Sequence, residues 1–158
     1  MKFQNNEVTE ILRMIENEHL DIRTCTMGIS LRGAASRSLE ETCQGMHDKI
    51  MQQAGNLVAV AEGVQRDLGV PITNKRISIT PAALVAEPSG ADNLVPVAQT
   101  MDRAAAEAGV DYIGGFSALV EKGMTRGDRA LINSIPQALA ETERVCSSVN
   151  VATTRAGM

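Results

Sequence analysis

The chain has 158 residues, of which 44% are hydrophobic, 2% are aromatic and 22% are charged. This length and hydrophobic content predict a single folded domain over residues 1–158 and exclude a disordered chain. The formal net charge is -4 and there is no Trp, so the chain lacks the basic surface and stacking side chains typical of nucleic-acid-binding proteins.

The chain also lacks the sequence signals of export. No segment has the apolar run that a signal peptide or a membrane span requires, so we expect no membrane partner. Its three cysteines, Cys25, Cys43 and Cys146, are an odd number at wide spacings. This pattern favours reduced thiols and a cytoplasmic location.

Hydrophobic spacing in the first half of the chain predicts two helical segments and two strands. Apolar residues recur at helical spacing over 8–15 and again over 39–68, where Gly55 marks a candidate break. Alternating residues predict strands over 21–30 and 75–80. The two kinds of element therefore alternate along the chain.

The second half of the chain continues this alternation, with three predicted helices and two predicted strands. In chain order, these are a helix over 92–108, a strand over 110–116, a short helix over 117–123, a helix that starts near Ser134 and a strand over 145–152. Gly114 and Gly115 break the first of these strands, and Ser117 caps the short helix. Strands separated by helices predict parallel pairing, hence an α/β fold of repeated strand–helix units.

Polar residues recur on one face of two predicted strands. These residues are Arg76, Ser78 and Thr80 in the second strand and Cys146, Ser148 and Asn150 in the last. A parallel sheet that is covered by helices on both sides is apolar on both faces. We therefore predict that Arg76, Ser78, Cys146, Ser148 and Asn150 lie together on an uncovered face, away from the helix that carries Leu57, Val64 and Leu68.

Cys146 is the candidate catalytic residue, because its thiol shares the polar face with Ser148 and Asn150. The alternative is that Cys146 is a small buried apolar residue, as most free cysteines are. Cys25 alternates with two apolar residues and Cys43 lies in a helical apolar stripe, so the core interpretation is favoured for both.

Asn74, Lys75 and Arg76 place an amide and two cations at the start of a strand, where they could bind a carboxylate or phosphate. The alternative is a solvated strand end or an ion pair. Arg23, at the start of the first strand, is a similar candidate. The predicted ligand-binding residues are therefore Arg23, Asn74, Lys75, Arg76, Ser78, Ser148 and Asn150.

Two further groups of residues are weaker candidates for sites. Gly114, Gly115 and Ser117 could offer backbone N–H groups to an anion, although a tight turn with a capping serine is the better interpretation. Glu16, Glu18, His19 and Asp21 are metal-capable side chains, but charged groups at a helix end are usually solvated. No metal site is predicted, and no pattern identifies a cofactor.

Five sequence blocks carry a family resemblance. They are EHLDIRTCTMGISL, NKRISITP, YIGGFSALVEKG, LINSIP and ETERVCSSVNVATTRAG. In this order and spacing, the chain resembles the amino-terminal part of an uncharacterised prokaryotic family called domain of unknown function 711, also labelled "PFL family protein". Its members are similar in fold to the glycyl radical enzymes, of which pyruvate formate-lyase is the type.

The resemblance implies a ten-stranded α/β barrel, of which this chain would be an incomplete amino-terminal portion. The polar strand faces would then point into the barrel lumen. Pyruvate formate-lyase uses two adjacent cysteines, and the radical glycine of these enzymes lies in an Arg-Val-x-Gly setting. This chain has no adjacent cysteines and Gly115 lies in a different setting, so this segment does not predict glycyl radical chemistry.

The leading functional hypothesis is an enzyme, or a former enzyme, that binds a small anionic metabolite in the barrel lumen. The first alternative is a metabolite-binding regulatory or scaffold protein. For that alternative, the resemblance implies an ACT-domain protein as partner, because family members are often encoded beside one. The second alternative is an open two-layer α/β domain whose polar face is exposed to solvent and has no ligand. Because few residues follow the last strand, we also expect its free edge to favour homo-oligomers.

Overall fold

The computed structural model of the chain describes residues 5–17 and 21–154. Within these ranges the strands are β1 Ile22–Ile29, β2 Ile72–Ile79, β3 Tyr112–Leu119 and β4 Val145–Asn150. The helices are α1 Asn5–Glu16, α2 Leu39–Ala54, α3 Leu57–Leu68, α4 Ala82–Ala86, α5 Val95–Ala108 and α6 Arg126–Ala140. None of the described helices combines the length and apolarity needed to cross a membrane.

The four strands form one parallel sheet in the order β1-β2-β3-β4. The predicted α/β class and parallel pairing are therefore confirmed. Apolar residues stand side by side across all four strands: Met27 pairs with Ile77, Ile77 with Ile113, and Ile113 with Val145. This apolar row shows which face of the sheet is directed to the core.

Helices cover that apolar face. Helix α3 packs on β2, while α4, α5 and α6 all pack on β3. Ile77, Ile113 and Phe116 are among the largest fully buried side chains. Burial of such side chains supplies the main stabilising free energy of the fold, at about 1.5–3 kcal/mol each. The helices thereby fix the sheet so that its other face remains open.

The predicted helical segment 39–68 is two helices that meet at Gly55, the position of the candidate break. The side-chain oxygen of Ser38 accepts a hydrogen bond from the Glu41 N–H at the start of α2. Asn56 precedes α3 without a side-chain capping hydrogen bond, and the helix is followed by Gly69 in a left-handed conformation with φ of 70°. Glycine is favoured at that position because it has no Cβ to clash.

The prediction for β3, a strand over 110–116, was wrong beyond Phe116. The strand continues through both glycines to Leu119, and its pairing with β4 shifts register between Gly114 and Phe116. The bulge occurs at Gly115, whose φ is 118°. After the bulge, Phe116 and Ala118 are buried, so burial favours a strand where a short helix capped by Ser117 had been predicted.

The predicted start of α6 near Ser134 was also wrong. The helix begins at Arg126, where Thr125 and Asp128 form a capping box, and Pro136 lies inside the helix. The Thr125 hydroxyl accepts from the Asp128 N–H at 3.1 Å, and the Asp128 carboxylate accepts from the Thr125 N–H at 2.9 Å. These two bonds satisfy N–H groups that would otherwise be unpaired at the helix start.

Thr125→Ala should therefore destabilise the protein by about 1 kcal/mol, because it removes the cap of α6. Equilibrium denaturant unfolding of the full-length protein measures this change. Thr125→Ser is the matched control, since it keeps the hydroxyl and should leave the unfolding free energy nearly unchanged. Equal losses in both variants would contradict a role of the hydroxyl as cap.

Candidate functional site

The face of the sheet opposite the helices carries small and polar residues, most of them exposed. We call this the open face and define it by Thr26 and Gly28 on β1, Arg76 and Ser78 on β2, Tyr112 and Gly114 on β3, and Cys146 and Ser148 on β4. Thr26 pairs with Arg76, and Arg76 with Tyr112. The next row on this face contains Gly28, Ser78, Gly114 and Cys146.

A cavity of ≈ 430 Å³ lies on the open face around Arg76, and we call it the Arg76 cavity. Its lining residues are Thr26, Arg76, Ile77, Ser78, Tyr112, Gly114 and Cys146. None of these is acidic, so the guanidinium of Arg76 sets the charge of the cavity. Gly28 and Gly114 flank Ser78, and a Cβ added at Gly28 would meet nothing within 4 Å. The floor beside Ser78 is therefore low enough for a ligand to approach the strand backbone.

The guanidinium of Arg76 lies over the ring of Tyr112, with 5.4 Å between its central carbon and the ring centroid. Such a contact orients an exposed arginine and contributes about 0.5–1 kcal/mol. Arg76 forms no ion pair with any residue in the described ranges. Its charge is thus held in place and remains available to an anion.

Three of the predicted site residues meet in this cavity: Arg76, Ser78 and Cys146. Ser148 and Asn150 follow at alternate positions of β4, which places them on the same face, farther toward the carboxyl end of the strand. The structure thus brings the polar residues of β2 and β4 to one face of the sheet.

Asn74, Lys75 and Arg76, which were predicted as one anion-binding cluster, do not all lie on the same face of the sheet. Neighbouring residues in a strand point to opposite faces, so Lys75 shares the face of Ile77 and lies away from Arg76. Asn74 alternates with Arg76, and its amide donates to the Arg23 carbonyl of the neighbouring strand at 3.1 Å. Arg23 alternates with Cys25 and is not part of the open face.

A second cavity, of ≈ 390 Å³, lies at the amino-terminal ends of the strands, and we call it the Arg144 cavity. It is lined by Asn74, Gly109, Val110, Asp111, Tyr112, Glu143 and Arg144. Tyr112 lines both cavities, which therefore adjoin. Sequence reasoning missed Tyr112 and Arg144. Tyr112 precedes Gly114 by two residues and Arg144 precedes Cys146 by two, so alternation along the strands would have placed both on the open face.

The three cysteines differ in their surroundings, and none forms a disulfide. Cys25 and Cys43 are partly buried and pack against the core, in line with the core interpretation. Burial raises the pKa of the Cys43 thiol, an effect that a hydrogen bond from Thr100 and the charge of Arg103 partly offset. Cys146 is exposed on the open face. Of the three thiols, it is the one that a ligand on this face could reach.

The two other groups considered as sites do not form one in the described structure. Gly114, Gly115 and Ser117 lie within β3, where the Ser117 hydroxyl donates to the Gly115 carbonyl at 3.4 Å. The turn and the cap that had been the better interpretation are therefore absent there. Glu18 and His19 lie outside the described residues. Among those described, no three His, Cys, Asp or Glu side chains are grouped to hold a metal ion.

Comparison with known proteins gives one family and several close relatives. The family model described as "Uncharacterised ACR (DUF711)" matches residues 13–158. Proteins named "UPF0210 protein" are 61% identical over 97% of the chain in Desulforamulus reducens and 60% identical over 96% in Halothermothrix orenii. A third, from Methanosarcina acetivorans, is 55% identical over 98% of the chain. The chain spans about a third of the length of these relatives: 34%, 34% and 33%.

Proposed function

The chain belongs to the DUF711 family, whose description gives no activity, and we propose that its open face binds a small anionic metabolite through Arg76. The observation that carries the proposal is the Arg76 cavity, which contains an oriented guanidinium and no acidic lining residue. An arginine fork can bind a carboxylate or phosphate through two parallel hydrogen bonds. The cavity volume of ≈ 430 Å³ is within the range of small-molecule sites.

Other groups in the cavity suit a polar ligand. The Ser78 hydroxyl can donate or accept a hydrogen bond, and the glycines beside it let a ligand approach the backbone. Thr26 on β1 adds a second hydroxyl beside Arg76, on the side away from Tyr112. These groups would fix the orientation of a ligand whose charge Arg76 neutralises.

In the full-length protein we propose that further strands enclose the open face. The chain accounts for 34% of the length of its relatives, which leaves ample sequence to cover the sheet. Enclosure would remove water from the Arg76 cavity and strengthen its attraction for an anion. A ten-stranded barrel of the pyruvate formate-lyase type, with the open face in its lumen, would provide this enclosure.

If the protein is an enzyme, Cys146 is the residue that we propose as its nucleophile. Cys146 lines the cavity together with Arg76, and sulfur is intrinsically a stronger nucleophile than the hydroxyl oxygen of Ser78. An anionic ligand held by Arg76 would therefore lie close to the most reactive group of the open face.

A non-catalytic, regulatory role is the second candidate, and one observation favours it. No His, Asp or Glu lines the Arg76 cavity, so among the described residues Cys146 has no imidazole or carboxylate beside it to act as a general base. A protein that senses the metabolite, with an ACT-domain protein as partner, would need binding alone. Cys146→Ser distinguishes the two roles, because it would abolish catalysis and preserve binding.

The binding proposal is tested by removing one charge at a time in the full-length protein. Arg76→Gln should weaken the binding of a small carboxylate or phosphate monoester at least about tenfold, since a charge-assisted hydrogen bond contributes about 1.5–3 kcal/mol. Isothermal titration calorimetry with a panel of such acids gives the affinities.

Lys75→Gln is the matched control for this test. It removes the same charge one residue away and should change the affinity less than about twofold, because the Lys75 side chain lies on the opposite face of β2 and cannot contact a ligand in the Arg76 cavity. Unchanged binding by Arg76→Gln, or a loss in Lys75→Gln alone, would contradict the proposal.

A further inference from the structure

We infer that the ligand of the open face carries two anionic groups, one held by Arg76 and the other by Arg144, on either side of Tyr112. The inference rests on the proposed anion-binding function and specifies the class of ligand. It follows from the register of three strands, from the charges in two adjoining cavities and from the partners of Arg144.

The strand register places the two arginines on opposite sides of Tyr112. Arg76 on β2 pairs directly with Tyr112 on β3. On the other side, the Ile113 N–H donates to the Arg144 carbonyl at 3.0 Å, so Arg144 lies next to Tyr112 at the start of β4. With neighbouring strands about 4.8 Å apart, the α-carbons of Arg76 and Arg144 are separated by roughly 10 Å.

Each of the two adjoining cavities contains a single cation among its lining residues. The Arg76 cavity contains Arg76 and no acid, and the Arg144 cavity contains Arg144 together with the carboxylates of Asp111 and Glu143. Tyr112 forms the ridge between them. A ligand that lies across this ridge would place one end at each guanidinium and its middle over the Tyr112 side chain between them. A monoanion would use only one of the two.

The partners of Arg144 leave it able to bind a ligand. Its Nη1 is 3.3 Å from the Glu143 Oε2, and the Glu143 side chain is 84% exposed. An exposed pair of this kind is weak, and a guanidinium has five N–H donors. The other acid in the Arg144 cavity is Asp111, whose Oδ2 accepts from the Lys75 N–H at 2.7 Å. Glu143 thus competes with a ligand for Arg144 without blocking it.

The test compares acids of matched length in the full-length protein. Glutarate and 3-phosphonopropionate carry two anionic groups, while pentanoate and propylphosphonate, in which a methyl group replaces one carboxylate, carry one. We expect each dianion to bind at least tenfold more tightly than its monoanionic counterpart. Arg144→Gln should abolish this difference and leave the binding of the monoanions within twofold of wild type. Glu143→Gln, which removes the competing carboxylate, should tighten the binding of the dianions.

The outcomes separate the ligand class from the underlying function. Equal affinity for monoanions and dianions, with both dependent on Arg76, would overturn the two-anion inference and leave the proposed function intact. A preference for dianions that persists in Arg144→Gln would also overturn the inference. If none of the four acids binds to the wild-type protein, the inference and the proposed function both fail. Thermal unfolding monitored by circular dichroism shows whether each variant is folded.

Discussion

Gly115→Ala should destabilise the protein by about 4 kcal/mol, because strain and overlap act at the same position. Gly115 has a φ of 118°, which side chains with a Cβ rarely adopt. An added Cβ would lie 2.8 Å from the Ile79 carbonyl oxygen and would also overlap the Ile79 Cγ1. Relief of this overlap would require β2 and β3 to separate at the centre of the sheet. Equilibrium denaturant unfolding of the full-length protein measures the loss.

Gly123→Ala is the matched control for this substitution. Gly123 has nearly the same φ, 121°, but an added Cβ would meet nothing within 4 Å. This variant should lose only the cost of the backbone conformation, about 1–3 kcal/mol. The difference between the two variants reports the close approach of β3 to β2. Equal losses would show that the approach at Ile79 has no energetic consequence.

Phe116→Ala should destabilise the protein by about 3–5 kcal/mol, as expected when a large buried aromatic side chain is truncated. Phe116 is 0% exposed and is the largest of the fully buried side chains. It lies on the helix-covered face of β3, where α4, α5 and α6 pack. Truncation would leave a cavity under these helices, and denaturant unfolding would show the loss.

Leu119→Ala provides the comparison within the same strand. Leu119 is 39% exposed at the end of β3, so its truncation removes less buried area and leaves no enclosed cavity. We expect a loss below about 1 kcal/mol. A loss as large as that of Phe116→Ala would contradict the assignment of the core to the helix-covered face.

The parallel sheet and its uncovered face could be predicted from the sequence, because side chains alternate strictly along a strand. Ile77 and Ile79 alternate with Arg76 and Ser78, and this pattern depends on local geometry alone. The grouping of Arg76 with Cys146 followed from the same argument. The structure describes four strands, so the ten-stranded barrel remains part of the proposed function.

Other features depend on contacts between distant segments and could not be predicted in this way. The bulge at Gly115 arises where β3 approaches Ile79, a residue 36 positions earlier in the chain. The predicted helix start near Ser134 would place Pro136 in the first turn, where proline is favoured, although helices also tolerate proline inside when packing outweighs one lost hydrogen bond. The Arg76–Tyr112 contact required the register of two strands that are separated by α4 and α5.

The order of the strands in the sheet has a consequence for biosynthesis. Because β1, β2, β3 and β4 are neighbours in the order in which they occur in the chain, each strand pairs with the one that the ribosome has just completed. No strand has to enter between two that are already joined. The sheet can therefore grow from one edge during translation, and each helix can dock before the next strand emerges. A strand is without its next partner only while one further strand–helix unit is synthesised.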